Sequence, residues 1–197
     1  MIEYYEKTIK NIKHSLSSID KKTFLALVDQ SKSVLENGNK IIVSGLGKNV
    51  PICDKFVGSM LSLGLDANFL HTNSAIHGDL GMVRSGDLVI ILSKSGNTAE
   101  SIYLAKQLQQ RDNINVWLLT FNKNNAITDI LGIDKTLSVD LLDEGDPWNI
   151  MPNNSTTINL IILQSLVMEL AEKMELSLED FKVNHPGGAI GEQLKNV

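Results

Sequence analysis

The chain has 197 residues, 43% of them hydrophobic, which suffices for one sizeable core and makes one domain the default. Its 18 basic and 23 acidic residues give a formal net charge of −5, which argues against a general nucleic-acid or anionic-membrane surface but leaves a local anion site open. The single cysteine, Cys53, rules out an intramolecular disulfide and fits a reducing compartment. The opening segment IEYYEKTIKNIKH is too charged for a signal peptide, and no apolar run approaches bilayer length, so a cytoplasmic protein is expected.

Residues 2–18 and 20–37 read as two helices, with Asp20 as an N-cap, Leu25, Val28 and Leu35 at near-helical spacing, and Gly38 as the stop. The texture then changes. Short apolar or β-branched runs at 40–44, 67–71, 87–93, 115–121 and 135–140 alternate with helical patterns such as VPICDKFVGSMLSLG and TAESIYLAKQLQQR. Near-continuous apolar strands alternating with helices predict a parallel sheet covered on both faces. Pro51 suits a first helical turn and Gly64 the stop before the second strand. A last long helix is predicted over 155–175, apolar nearly all round, hence buried in the core or against another subunit. The whole reads as one doubly wound α/β domain, residues 39–197, with an N-terminal helical pair, residues 1–38.

In such folds ligands bind at the carboxyl ends of the strands, where helix N-termini face the crevice. The segment SKSGNTAE stands there after the third strand. Ser93, Ser95 and Thr98 supply hydroxyls, Gly96 permits a tight turn, and the next helix offers unpaired N–H groups, a combination suited to phosphate; the alternative is an ordinary Ser/Thr cap. The loop SGLGKN, 44–49, is a second candidate. It lacks the third glycine of a dinucleotide fingerprint, Val50 standing in its place, and the second strand ends in His71 rather than an acid. Lys48 therefore reads as a point cation for a phosphate or hydroxyl, or else as a surface lysine. His77, Glu100 and His185 are the remaining ionisable candidates, each with an ordinary structural alternative; a first-turn glutamate is favoured by the helix dipole alone.

These residues resemble the sugar isomerase (SIS) domain, and within it the arabinose 5-phosphate isomerases. The resemblance is carried by GLGKN, HGDLGMV (77–83), SKSGNTAE (93–100), NNSTT (153–157) and HPGGAIG (185–191), and covers residues from about 40 onward. It implies a three-layer α-β-α sandwich on a five-stranded parallel, flavodoxin-like sheet. It assigns Lys48, His77, Glu100 and His185 to catalysis, and Ser44, Ser93, Ser95, Gly96, Asn97 and Thr98 to substrate phosphate. It sets Gly47, Asn49, Ser155, Thr156 and Thr157 beside the substrate, the last three at the start of a helix that usually packs between subunits. The sequence departs from the pattern at Asn49, where serine is usual, at Lys94 inside the serine loop, at Asn97, and in the polar segment DEGDPWNIMPNN. Many members continue past HPGGAIG into a pair of CBS domains, whereas this sequence stops at Val197.

The expected reaction is aldose–ketose isomerisation through a cis-enediol, with Glu100 as base, His185 as proton shuttle and Lys48 stabilising the oxyanion. His77 is expected to reach a neighbouring subunit's site. No cofactor is expected and no metal, since the histidines lack a metal-site spacing. The expected partners are a small sugar phosphate and further copies of the chain, as a dimer or tetramer, with no nucleic acid and no membrane. Alternatives are a non-catalytic sugar-phosphate sensor and an isomerase for another sugar phosphate such as a hexulose 6-phosphate.

Overall fold

A computed structural model describes residues 2–195. Two helices, α1 (Ile2–Ser17) and α2 (Lys21–Glu36), precede the sheet. The Asp20 side chain caps α2 by accepting from Thr23 N, and Gly38 follows the helix with φ +76°. The strands are β1 (Ile41–Gly45), β2 (Ala67–His71), β3 (Leu88–Leu92), β4 (Asn115–Thr120) and β5 (Thr136–Ser138). All pairings are parallel and the order is β2-β1-β3-β4-β5, so chain order reverses between β1 and β3. The connecting helices are α3 (Val50–Ser62), α4 (Thr72–Ala75), α5 (Ala99–Gln109) and α6 (Ala126–Leu131), followed by α7 (Asn154–Lys173), α8 (Leu178–Val183) and α9 (Gly188–Leu194). Pro51 lies in the first turn of α3.

Alternation along the strands builds two cores. Ile41, Val43, Leu88, Ile90, Leu92, Trp117 and Leu119 point to one layer, where they meet Cys53, Phe56 and Met60 of α3, Leu27 and Val28 of α2, and one side of α7. Ile42, Val89, Ile91, Val116 and Leu118 point to the other, against Leu104, Ala105 and Leu108 of α5 and Ile127 of α6. This is the three-layer sandwich expected from near-continuous apolar strands. Burial pushes the Cys53 thiol far up, so it packs as an inert apolar group.

The apolar length of α7 lies largely in the core of the chain, one of the two placements expected of it. Ile158, Ile162, Leu163, Leu166, Val167 and Leu170 are buried, α1, α2 and α3 pack on the helix, and Met168 faces solvent. The fifth strand, Thr136–Ser138, is shorter than the 135–140 run; Val139 N still donates to Thr120 O, and its side chain packs into the core.

Candidate active site

At the carboxyl edge of the sheet the chain leaves β3 into the Ser93–Thr98 loop, of which Ser93, Lys94, Ser95 and Thr98, but not Gly96 or Asn97, line a 660 Å³ cleft. Leu46 and Asn49 from the β1 turn, Phe121 and Asn122 after β4, and Leu141, Leu142, Asp143 and Asn149 from the segment before α7 complete it. The loop is rigidly built. The Lys94 carbonyl accepts from Phe121 N and Thr120 Oγ1, Ser95 O from Asn122 Nδ2, and Gly96 O from Ile127 N. Asn97 Oδ1 accepts from Ala126 N. Gly96 has φ +65°, and a Cβ there would stand 2.1 Å from the Asn125 side chain, so only glycine fits the turn.

The hydroxyls remain available as donors. Ser93 Oγ accepts from Gly96 N at 3.2 Å and Ser95 Oγ from Asn97 N at 3.1 Å, which leaves both hydroxyl protons to be donated elsewhere. Thr98 is the N-cap of α5 but makes no side-chain cap bond, so the first-turn N–H groups of that 11-residue helix carry no partner from it. Ser93, Ser95 and Thr98 all line the cleft. Donors converging on a helix N-terminus make an anion seat.

Lys94 adds a cation that sequence reading left aside. It lines the cleft, and its Nζ lies 2.6 Å from Glu144 Oε1, the carboxylate being wholly buried. Glu144 also accepts from Asn153 N, Ser155 N and Ser155 Oγ. Burial alone would raise the Glu144 carboxyl, but the Lys94 ammonium, the Ser155 N–H and hydroxyl and the Asn153 N–H together hold it below the ordinary carboxylate range. The knot ties the 143–155 segment to the serine loop. Asp146 then turns the segment back by accepting from the N–H groups of Trp148, Ile150 and Met151. The polarity of DEGDPWNIMPNN was the available signal for this knot, but its pairing with Lys94 is a contact between distant segments.

Several expected residues stand elsewhere. Ser44 is fully buried inside β1 with its hydroxyl paired to Thr72 Oγ1, because it shares the strand face of Ile42 rather than the strand end. Ser155 gives its hydroxyl to Glu144, and the Thr156 and Thr157 hydroxyls donate to Asn153 O, so all three serve the start of α7 rather than the cleft wall. Gly47 and Lys48 form an exposed 3-10 turn on the rim, while Asn49 of the same turn lines the cleft. Glu100 is half-buried in the first turn of α5, and His77 is exposed on the turn after α4; neither lines the cleft of its own chain.

His185 is farthest. α7 starts beside Lys94 at the carboxyl edge and runs 20 residues, about 30 Å, toward the opposite edge. There Asn184 packs on Gly64, at the amino end of β2: its Nδ2 lies 3.2 Å from where a Gly64 Cβ would stand. His185 stacks on Phe181 with ring centroids 3.9 Å apart, and its Nδ1–H donates to Phe181 O at 2.7 Å. When the ring is neutral, that bond places its proton on Nδ1 and leaves Nε2 as an acceptor. Among the described residues no group of three or more His, Cys, Asp or Glu is arranged to hold a metal, and no helix is long and apolar enough to cross a membrane.

Comparison with known proteins finds relatives along most of the chain. A Helicobacter pylori protein is 38% identical over 81% of this chain and 47% of its own length. The Pseudomonas aeruginosa arabinose 5-phosphate isomerase KdsD is 34% identical over 82% of this chain and 48% of its own. The chain thus spans about half the length of the curated relatives it matches. A solved Escherichia coli protein in complex with arabinose 5-phosphate superposes with TM-score 0.84 at 26% identity, covering 93% of this chain and 94% of that one. Residues 34–131 match the SIS domain, and with these relatives and this sheet order the chain belongs to the SIS domain family.

Proposed function

We propose that the protein is a phosphosugar isomerase interconverting D-arabinose 5-phosphate and D-ribulose 5-phosphate through a cis-enediol. The observation that carries this reading is the rigid Ser93–Thr98 loop, whose hydroxyl protons and helix N-terminus open into the 660 Å³ cleft at the carboxyl edge of the sheet. The relative named arabinose 5-phosphate isomerase and the neighbour solved with arabinose 5-phosphate support the choice of sugar.

Phosphate held by Ser93, Ser95, Thr98 and the α5 N-terminus anchors one end of the open-chain sugar, and binding energy there holds the reacting end in register. Glu100, half-buried two residues past the cleft-lining Thr98, turns its carboxylate into the cleft, removes the proton from C2 of the aldose and returns it to C1. The C1 oxygen gains a proton as the C2 hydroxyl loses one, and a neutral imidazole with one bare nitrogen serves that exchange. Lys48 on the rim offsets the developing oxyanion. Because His185 stands at the opposite edge of its own sheet, this chemistry requires the His185 of a second copy, and the working unit is a homo-oligomer. A groove between α1 and α7, lined by Ile9, Ile12, Leu16 and Ile161, offers apolar surface for such assembly.

Incubation with arabinose 5-phosphate in heavy water tests the reaction. Ribulose 5-phosphate carrying deuterium at C1 is expected, and absence of turnover refutes the assignment. A monomer mass by light scattering at micromolar concentration refutes the shared site. Ser95→Ala removes one donor to a charged phosphate and is expected to weaken arabinose 5-phosphate binding by about 1–3 kcal/mol. Equal affinities of parent and variant in calorimetry would show that phosphate sits elsewhere.

A further inference from the structure

Asn49 occupies the point where chain order reverses, between β1 and β3. It packs directly on Gly45, the last residue of β1: a Cβ built on that glycine would stand 2.9 Å from Asn49 Cβ and 3.2 Å from Cys53 Sγ. One end of the Asn49 amide faces Leu92 O at 3.5 Å, and the other faces the Asn159 amide at 3.1 Å. A backbone carbonyl only accepts, so the Asn49 nitrogen must be the end that faces Leu92. Its oxygen therefore faces Asn159, and Asn159 must present Nδ2 to it.

That arrangement has a cost. Asn159 is 1% exposed, in a helix turn that otherwise contributes Ile158, Ile162 and Leu163 to the core. With Nδ2 committed to Asn49, Asn159 Oδ1 is buried with no partner among the described residues. A buried acceptor left so weakens a fold, and an apolar side chain would avoid it. What the asparagine provides is the orientation of Asn49. The 3.5 Å contact to Leu92 O is at the outer limit of a hydrogen bond, so the Asn49 NH2 keeps donor capacity, and Asn49 lines the cleft.

We propose that Asn159 is a positioning residue that locks the Asn49 amide with its NH2 toward the cleft, where it donates to an oxygen of the sugar rather than to its phosphate. This rests on the reading of the cleft as a sugar-phosphate site. Asn49 and the serine loop bind different parts of one ligand: the serine loop takes the phosphate, and the Asn49–Asn159 pair tells a sugar from a bare anion. Without Asn159 only the long 3.5 Å contact to Leu92 O holds the Asn49 amide, which then also turns its oxygen toward the ligand for part of the time.

Calorimetric titration with arabinose 5-phosphate and, separately, with inorganic phosphate tests this on the parent, Asn159→Leu, Asn49→Ala and the double variant. Asn159→Leu is expected to weaken arabinose 5-phosphate about five- to tenfold and to leave inorganic phosphate within about twofold, the loss of one hydrogen bond to the sugar. The double variant should bind no more weakly than Asn49→Ala alone, because Asn159 acts through Asn49. Asn159→Ala, which removes the amide without added bulk, should give the same split and decides the matter if the leucine variant does not fold. Unchanged arabinose 5-phosphate affinity in a folded Asn159 variant, additive effects, or equal losses for both ligands would overturn the positioning role alone. A parent that binds neither ligand would overturn the cleft assignment, and the positioning role with it.

Discussion

Glu100→Gln is expected to lower turnover by a factor of roughly 10² to 10⁴, the usual contribution of a positioned base, with arabinose 5-phosphate affinity within about twofold of the parent. Glutamine keeps the size and outline of the side chain but cannot take up a proton. Glu100 stands in the first turn of α5, two residues past Thr98, so the element that seats the phosphate also carries the base. The serine loop is held by bonds to residues 120–127, none of which involves Glu100, so ligand binding should survive the change. A chain that binds sugar phosphate without converting it gives a different pattern: no turnover in parent or variant, and tight binding in both. Full activity in Glu100→Gln would move the base to another group.

Mixing extends the same experiment to the histidine. His185→Ala is expected to impair turnover as well. If each cleft takes its imidazole from a neighbouring copy, an oligomer reassembled from Glu100→Gln and His185→Ala chains contains some sites with an intact glutamate and an intact histidine. Activity should then reappear on mixing, at a fraction set by the random pairing of chains. Reassembled mixtures with no activity above that of the separate variants would count against a shared site.

The parts that were legible in the sequence are those whose signal is local. Five short apolar runs bounded by polar turns became five strands, because a strand covered on both faces has no polar alternation to blur. Asp20 and Gly38 marked helix ends through the backbone chemistry of capping. The serine loop was legible for the same reason, hydroxyls and a glycine at a strand-to-helix turn. Ser44 was misleading because it sits one residue before the end of β1, and strand alternation turned it toward Thr72 and away from the cleft. The apolar girth of α7 exceeds what its buried stripe needs, which left open whether the core or another subunit covers it; α1, α2 and α3 of the same chain pack on it. His185 stood out by motif, yet the length of α7 carries it to the far edge, and no short window of sequence measures that distance. Glu144 and Asn159 were missed because their meaning lies in partners 50 and 110 positions away, Lys94 and Asn49.

Glu144→Ala is expected to destabilise the protein by about 3 kcal/mol, the lower end of the cost of breaking a buried pair, since the Lys94 side chain is 42% exposed and can rehydrate. The buried carboxylate accepts from Lys94, Ser155 Oγ, Ser155 N and Asn153 N, and alanine leaves all four donors unmatched. Glu144→Gln preserves shape and part of the bonding, so its loss should be smaller, and it supplies a pH readout. Because the Glu144 carboxyl is held below its ordinary value, its contribution to stability is fully present above the unfolded glutamate pKa of about 4.3 and is lost as pH falls through the lower folded value. The stability gap between parent and Glu144→Gln, measured by urea unfolding, should therefore be constant near neutrality and narrow below about pH 4. The same variant frees the Lys94 ammonium from its anchor and unties the 143–155 segment from the serine loop, so proteolytic cutting near Trp148, which is 74% exposed, should quicken. A gap that stays constant down to about pH 3, or cutting at an unchanged rate, would mean that the carboxylate is not what holds the segment. The knot would then depend on Asp146 and its three N–H donors, and Asp146→Asn would be the variant that loosens it.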